Sequence, residues 1–123
     1  MESIIVEGGK GTVELQADGV IHVTWKPNVS IGAQDARAAM AAVNEIADGS
    51  AYPMLMEMAT VEAVSRQARA FFSIPSAASR IAFLGSGPVD RVLANFFFDM
   101  GVPPCPTRYF SSRTESISWL LRE

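Results

Sequence analysis

The sequence predicts an α/β fold with a mostly parallel sheet, helices packed on it and an antiparallel hairpin at its N-terminal edge. Three observations support this prediction. Residues 12–25 alternate around a turn, residues 81–84 form a short apolar run, and apolar residues recur at helical spacing between the later strands. The predicted order is β-β-α-β-α-β-α-β-α, within one domain over residues 1–123.

The hairpin is predicted from two alternating segments, Thr12–Gln16 and Val20–Trp25, on either side of Asp18-Gly19. Asp-Gly is a strong signal for a tight hairpin turn. The glycine-rich residues 8–11 that precede it have the wrong spacing for a phosphate-binding P-loop and lead into a strand, so we expect them to turn or fray.

The first helix should follow this hairpin, with Ser30 or Gly32 as its N-cap and Gly49 just beyond its end. Its expected buried stripe is Ala36, Ala39, Met40, Val43, Ile46 and Ala47. Residues 52–58 are then typical of a strand that begins near Pro53.

A second helix is predicted from an N-cap at Thr60, and Pro75 should end it. Glu62 would pair with Arg66 one turn later. Its expected buried positions are Val61, Val64, Ala68, Phe71 and Phe72.

The later elements are predicted from residues 79–121. The run from Ile81 to Leu84 suits a strand buried on both faces, and residues 89–100 have helical spacing. A short last strand over residues 107–110 precedes a capping box that starts at Ser112. The closing helix should bury Ile117, Leu120 and Leu121.

Composition excludes several classes of protein. The net charge is −3 and the basic residues are scattered, which argues against nucleic-acid binding. No apolar segment reaches the ~18 residues that a membrane-spanning helix needs, and no secretory signal is present, so we expect a cytoplasmic protein. The single cysteine, Cys105, allows no internal disulfide and no CxxC metal motif.

The C-terminal half resembles the SpoIIAA-like group, a branch of the STAS and SEC14-type fold named after a bacterial anti-anti-sigma factor. Three stretches carry the resemblance: SRQARAFF at residues 65–72, SRIAFLGSGPVDRVLANFFFDMGVPPCPTRYF at residues 79–110, and ESISWLL at residues 115–121. The resemblance implies a STAS-type arrangement of sheet and helices, as in small bacterial members of the group.

The resemblance also implies a candidate site at the start of the second helix. Anti-anti-sigma factors of this fold are switched by phosphorylation of a serine there. The matching segment here holds a candidate partner-binding and phospho-switch loop with Thr60, Ser65, Arg66 and Arg69, without the Asp and Gly of the family's motif.

Other candidate residues have a structural and a functional interpretation. Gly85, Ser86 and Gly87 precede a predicted helix and form a weak candidate for binding an anion. His22 is the only histidine, and we expect it to be a solvated edge position. Cys105 is expected to be an unreactive loop thiol.

Glu57 is a charge in an otherwise apolar strand, so it lies near the strand end, faces solvent, is paired, or acts as a catalytic acid. The aromatic run ending at Phe98 cannot all face one core, which makes Phe98 a candidate dimer contact. Met54, Met56 and Met58 either belong to the core or line a pocket for a hydrophobic ligand.

These observations favour a non-catalytic regulatory or protein-interaction module over an enzyme, because no convergent catalytic set is visible. The alternative is a carrier of a hydrophobic small molecule or lipid, by analogy with SEC14-type proteins. We predict no cofactor and no metal site. A positive mean hydropathy also predicts a homodimer.

Overall fold

A computed structural model describes residues 2–58, 61–72, 77–85 and 105–122 of the chain. These residues form eight strands and three helices. In chain order the elements are β1 (Glu2–Ile5), β2 (Gly11–Leu15), β3 (Ile21–Trp25), β4 (Ser30–Ile31), α1 (Ala33–Ala47), β5 (Tyr52–Glu57), β6 (Ala63–Val64), α2 (Arg66–Phe72), β7 (Ala78–Leu84), β8 (Thr107–Phe110) and α3 (Arg113–Leu120).

Six strands form one sheet in the order β1-β2-β3-β5-β7-β8, and β4 pairs with β6 in a separate two-stranded ribbon. The strands from β3 to β8 in the large sheet are parallel, while β1, β2 and β3 are antiparallel. The predicted fold class is therefore confirmed. Helices lie on both faces of the sheet, because α1 and α2 pack on one face and α3 packs on the other.

Strand β1 was not predicted, and it lies outside the hairpin at the edge of the sheet. Gly8 and Gly9 both have positive φ, which lets the chain turn tightly enough to pair residues 2–5 with β2. The short segment carries little strand signal of its own. Its strand conformation comes from this pairing.

The predicted hairpin is confirmed as β2 and β3. Gly19 has φ of 85°, and the Asp18 carboxylate accepts a hydrogen bond from the Val20 N–H at 3.0 Å. This Asx contact and the glycine conformation together close the turn.

The larger core lies between the sheet and α1. Gly32 is the N-cap of α1, and Gly49 follows its left-handed C-cap residue, both as predicted. Ala42 is buried and Met40 is only partly buried, so the buried stripe of α1 contains Ala42 where the prediction has Met40. The helix therefore presents mainly alanines to the sheet, and their small side chains permit close packing.

The smaller core lies between α3 and the opposite face of the sheet. Strand β7 is buried on both faces as predicted, because Ile81 and Phe83 join the larger core while Ala82 and Leu84 join the smaller one. The prediction that α3 buries Leu121 is wrong, since this side chain is 46% exposed. It lies just past the last helical residue, at the C-cap, and so leaves the packed face.

The start of the second helix also differs from the prediction. The helix begins at Arg66 with Ser65 as its cap, because the Ser65 hydroxyl accepts a hydrogen bond from the Ala68 N–H. Val61 and Val64 are buried as expected, but they precede the helix. Main-chain bonds to the β4 region, from Glu62 to Val29 and from Ser65 to Ile31, hold this segment extended.

Several predictions concern residues outside the described ranges. These are the helix over residues 89–100, the end of the second helix at Pro75, and the proposed roles of Thr60, Ser86, Gly87 and Phe98. The side chains of Arg69, Phe71 and Phe72 also lie outside the description. Among the residues that the structure describes, no helix is both long and apolar enough to cross a membrane.

Candidate functional site

The carboxyl ends of β3, β5, β7 and β8 meet at one edge of the sheet, because these strands are parallel. The β4–β6 ribbon, the start of α2 and the start of α3 all follow strands that end there. In open α/β sheets this edge is the usual location of a binding site.

Two helices start side by side at this edge. The β4–β6 ribbon is parallel, with Ile31 opposite Val64, and it leads into α1 on one strand and α2 on the other. The Ser65 N–H donates to the Ile31 carbonyl at 2.9 Å, which fixes the start of α2 beside that of α1. A helix start has N–H groups without helical partners and the positive end of a helix dipole, so these two starts are suited to negative charge.

The start of α1 is already occupied by a side chain of this chain. One oxygen of Asp35 accepts hydrogen bonds from the Gly32 N–H at 2.9 Å and from the Lys10 ammonium at 3.0 Å. Lys10 also donates to the Ser30 carbonyl at 2.9 Å. This role of Lys10 has no local sequence signal, because its partner lies 25 residues further along the chain.

The start of α2 is more open. The Ser65 hydroxyl accepts from the Ala68 N–H at 3.1 Å, no acidic residue lies in the first turn, and Arg66 is exposed. Arg69 lies one turn further along the backbone of α2. The structure thus brings Ser65 and Arg66 together at one helix start, whereas Thr60 lies outside the described residues.

The backbone of Gly85 forms part of the hydrogen bonding of the sheet. It is buried directly after β7, and its N–H donates to the Phe110 carbonyl at 2.9 Å. That N–H is therefore unavailable to a bound anion. The anion-binding role of Ser86 and Gly87 stays a prediction.

Glu57 is paired. It is the last residue of β5 and forms an ion pair with Arg113, the first residue of α3. Its side chain is 21% exposed, and that of Arg113 is 55% exposed. A carboxylate beside the start of α3 also interacts favourably with that helix dipole. The geometry fits the paired alternative and gives Glu57 a structural role.

The expectation that His22 is a solvated edge position is wrong. Strand β3 lies inside the sheet, where His22 is opposite Glu14 on β2 and Leu55 on β5. Its Nε2 atom is buried and has no hydrogen-bond partner among the described residues. Burial lowers the pKa of His22, helped by Arg113 and opposed by the negative charges of Asp18 and Glu14.

Cys105 is half-buried, and this burial raises the pKa of its thiol, which disfavours the reactive thiolate. This rise in the pKa of Cys105 agrees with the expectation of an unreactive loop thiol. Within the described ranges, no three His, Cys, Asp or Glu side chains are grouped closely enough to hold a metal ion.

The methionines of the β5 region lie in the core. Met54, Met56 and Met58 are each at most 3% exposed and belong to the cluster that packs against α1. Of the two interpretations of these residues, the structure fits the core one.

The fold is similar to that of an uncharacterised protein from the DUF3478 family of Shewanella loihica PV-4, whose structure is described as SpoIIAA-like. The TM-score is 0.58 at 14% identity, over 89% of this chain and 91% of that one. The chain therefore has a SpoIIAA-like fold. A protein of unknown function from Arthrobacter sp. FB24 is 49% identical over 88% of this chain and 90% of that one, with a TM-score of 0.38.

A comparison with curated proteins found no match. A comparison with family profiles matched residues 13–122 to a family described as a domain of unknown function, DUF7793. This match covers most of the chain, including β3 to β8 and all three described helices. The chain belongs to the DUF7793 family.

Proposed function

We propose that this chain is a non-catalytic protein-interaction module, and that its partner binds the segment from residue 59 to residue 69. The observation that carries the proposal is the helix start at Ser65. Its hydroxyl caps α2, and the exposed guanidinium of Arg66 lies directly beside it in the chain.

The capped start of α2 is suited to regulation by phosphorylation. A phosphate on Ser65 would meet the positive end of the helix dipole, and no acidic side chain in the first turn would repel it. The adjacent start of α1 differs, because Asp35 already occupies it with a negative charge. A phosphate at Ser65 would therefore change the charge of the surface at the more open of the two helix starts.

The described candidates for catalysis support a binding role. Glu57 is engaged by Arg113, and burial raises the pKa of the Cys105 thiol. His22 lies on β3 with a lowered pKa, and Glu14 and Leu55 are its neighbours across the sheet. These positions supply no nucleophile and base in contact, which nucleophilic catalysis would need.

Affinity capture with a pair of charge reversals tests the partner surface. Arg66→Glu should abolish retention of a specific protein that the wild-type chain captures. Arg108→Glu is the matched control, because Arg108 is equally an exposed arginine but lies on β8, and it should retain the same protein. Identical sets of captured proteins for all three baits would contradict the proposal.

Native mass spectrometry of protein from its own cells tests the phospho-switch. The wild-type chain should carry one phosphoryl group that phosphatase removes, and Ser65→Asn should lack it. Asparagine caps a helix about as well as serine, so this variant keeps the stability of α2. If the group persists in Ser65→Asn and disappears in Thr60→Val, the switch lies at Thr60. An unmodified wild-type mass under all growth conditions would contradict the switch.

The proposal has two further parts: the protein is located in the cytoplasm, and it forms a homodimer. Strand β1 lies at the edge of the sheet, and an unpaired strand edge supports self-association because it can pair with a strand of a second copy. Light scattering at high micromolar concentration should give twice the mass of the chain, and a monomeric mass would contradict the dimer.

A further inference from the structure

A group of arginines and aromatic rings lies where α3 crosses β7 and β8, on the opposite face of the sheet from α1. The guanidinium carbon of Arg80 is 5.4 Å from the ring centroid of Trp119, and that of Arg108 is 5.2 Å from the ring centroid of Phe110. Arg108 is also 5.8 Å from the Trp119 centroid, and the two ring centroids are 5.6 Å apart. Arg122 lies against the same cavity as Arg108. We call these five residues the arginine–aromatic cluster.

The rings hold Arg80 and Arg108 without neutralising their charges. A guanidinium that lies over an aromatic ring keeps its N–H donors, which point outward in its own plane. Arg80 uses one donor on the Trp119 carbonyl at 2.8 Å, near the end of α3. Arg108 and Arg122 are exposed, and neither forms an ion pair within the ranges that the structure describes.

The cluster borders a cavity of about 340 Å³. Besides the two exposed arginines and the two rings, the hydroxyl residues Thr114 and Ser118 line it, together with one carboxylate residue, Glu115. The cavity is open to solvent, and its volume lies near the lower end of the ~300–1,000 Å³ that is typical of small-molecule sites.

The charge of this cavity differs from that of the whole chain. The chain carries a net charge of −3, yet this cavity is lined by two arginines and one glutamate. The basic residues are scattered along the sequence, and the fold gathers three of them from β7, β8 and the residues after α3. Arginine forks match the geometry of carboxylate and phosphate, with two parallel N–H···O bonds.

We propose that this cavity binds a small organic anion through a carboxylate or phosphate group. Arg108 and Arg122 bind the anionic group, and the Thr114 and Ser118 hydroxyls supply further hydrogen bonds. The rings keep Arg108 in place before the ligand arrives, which lowers the entropy that binding costs. Glu115 opposes the anion and limits the charge that the site accepts. The proposal is independent of the partner surface at Ser65, because it concerns the other face of the sheet.

The test is a titration with two probes, phenyl phosphate and benzoate, followed by the backbone amide signals of the folded protein at low ionic strength. We expect saturable shifts in β8 and α3 and small shifts in α1. The tighter probe identifies the anionic group, and either order agrees with the proposal. No saturable binding of either probe at tens of millimolar would overturn it.

Substitutions then locate the site. Arg108→Gln and Arg122→Gln should each weaken binding of the tighter probe about tenfold, since each removes a charged hydrogen-bond donor. Arg108→Lys should weaken it nearly as much, because lysine lacks the planar fork. Glu115→Gln should tighten binding a few-fold. Arg66→Glu, on the other side of the sheet, should leave it unchanged.

Unchanged amide signals in α1 and β2 show that a variant still folds. Wild-type affinity in both glutamine variants would overturn the proposal even if the probes bind. Binding of a heparin fragment without binding of either small probe would also overturn it, because it would indicate a diffuse charge effect.

Discussion

The two faces of the sheet differ in how completely they are covered. On the α1 face, buried apolar residues extend from β2 to β7 and continue into α1 and α2. On the α3 face the buried cluster is smaller and centres on β5, β7 and β8, while the neighbouring positions on β2 and β3 are Glu14 and His22. One face is therefore a continuous core, and the other combines a small core with polar side chains.

The two faces also differ in the kinds of side chain that they carry. Burial of large side chains such as Met56 and Val43 on the α1 face supplies most of the apolar contact that holds the fold. The α3 face holds the Glu57–Arg113 ion pair and His22 with its unpartnered ring nitrogen. The arginine–aromatic cluster lies on that face too, and it is the site that we propose for a small organic anion.

The largest expected effect is at Met56, which is 1% exposed on the α1 face. Met56→Ala should lower the free energy of unfolding by about 2–5 kcal/mol, because it removes buried contacts and leaves a cavity between the sheet and α1. Urea denaturation measures this loss. Leu121→Ala, at a side chain that is 46% exposed, is the control and should change stability by about 0.5 kcal/mol or less. Equal losses would remove the distinction between core and surface.

A smaller effect is expected at Leu120, which is 3% exposed on the α3 face. Leu120→Ala should cost about 2 kcal/mol, at the lower end of the range for such changes, because the eight-residue α3 can shift into the space. Amide hydrogen exchange should become faster in α3 while α1 stays protected. Equally faster exchange in both helices would mean that the two faces do not unfold separately.

The ion pair between Glu57 and Arg113, at the edge of the α3 face, should contribute less to the free energy of unfolding than Leu120 does. Glu57→Gln should cost about 0–1 kcal/mol, because Arg113 is 55% exposed and solvent screens the pair. A double-mutant cycle with Arg113→Gln, followed by urea denaturation, isolates the pairwise term. A coupling above about 2 kcal/mol would show that the pair is a principal support of α3.

The smallest effect at neutral pH is expected at His22. Its folded-state pKa lies below the ordinary value of 6.5, so the unfolded chain binds the proton more readily. The free energy of unfolding should therefore be fully retained above the unfolded pKa of about 6.5 and should fall as the pH drops from there through the lower folded-state pKa. Urea midpoints between pH 7.5 and 5.5 measure this slope. His22→Gln should flatten it, and an identical slope in both proteins would exclude His22 as the cause.

Much of the fold was predictable because its signals are local. The turn at Asp18-Gly19 and the cap at Ser112 depend on neighbouring residues, and both are confirmed. The apolar run over residues 81–84 is buried on both faces as predicted. Strand β1 was missed because its four residues depend on pairing with β2 across the turn at residues 6–10. The ribbon was missed because Ser30 and Ile31 pair with the distant Ala63 and Val64.

The candidate site was less predictable for the same reason. The segment around Ser65 was found through the resemblance, but the residue that caps α2 was misplaced at Thr60. Val61 and Val64 share helical spacing with Ala68, so periodicity alone extended the helix backwards. Main-chain hydrogen bonds to Val29 and Ile31 oppose this extension and hold the segment in the ribbon.

The sequence by itself determined the hairpin, the strands β5, β7 and β8 and the helices α1 and α3, because hydrophobic period and turn chemistry act over a few residues. Tertiary structure alone decided the order of the strands in the sheet and the partner of each charged side chain. Lys10 reaches Asp35, Arg113 reaches Glu57, and Arg80 reaches Trp119 only after the sheet has formed. Charged side chains carry no periodic signal, and their partners are set by strand order and helix placement.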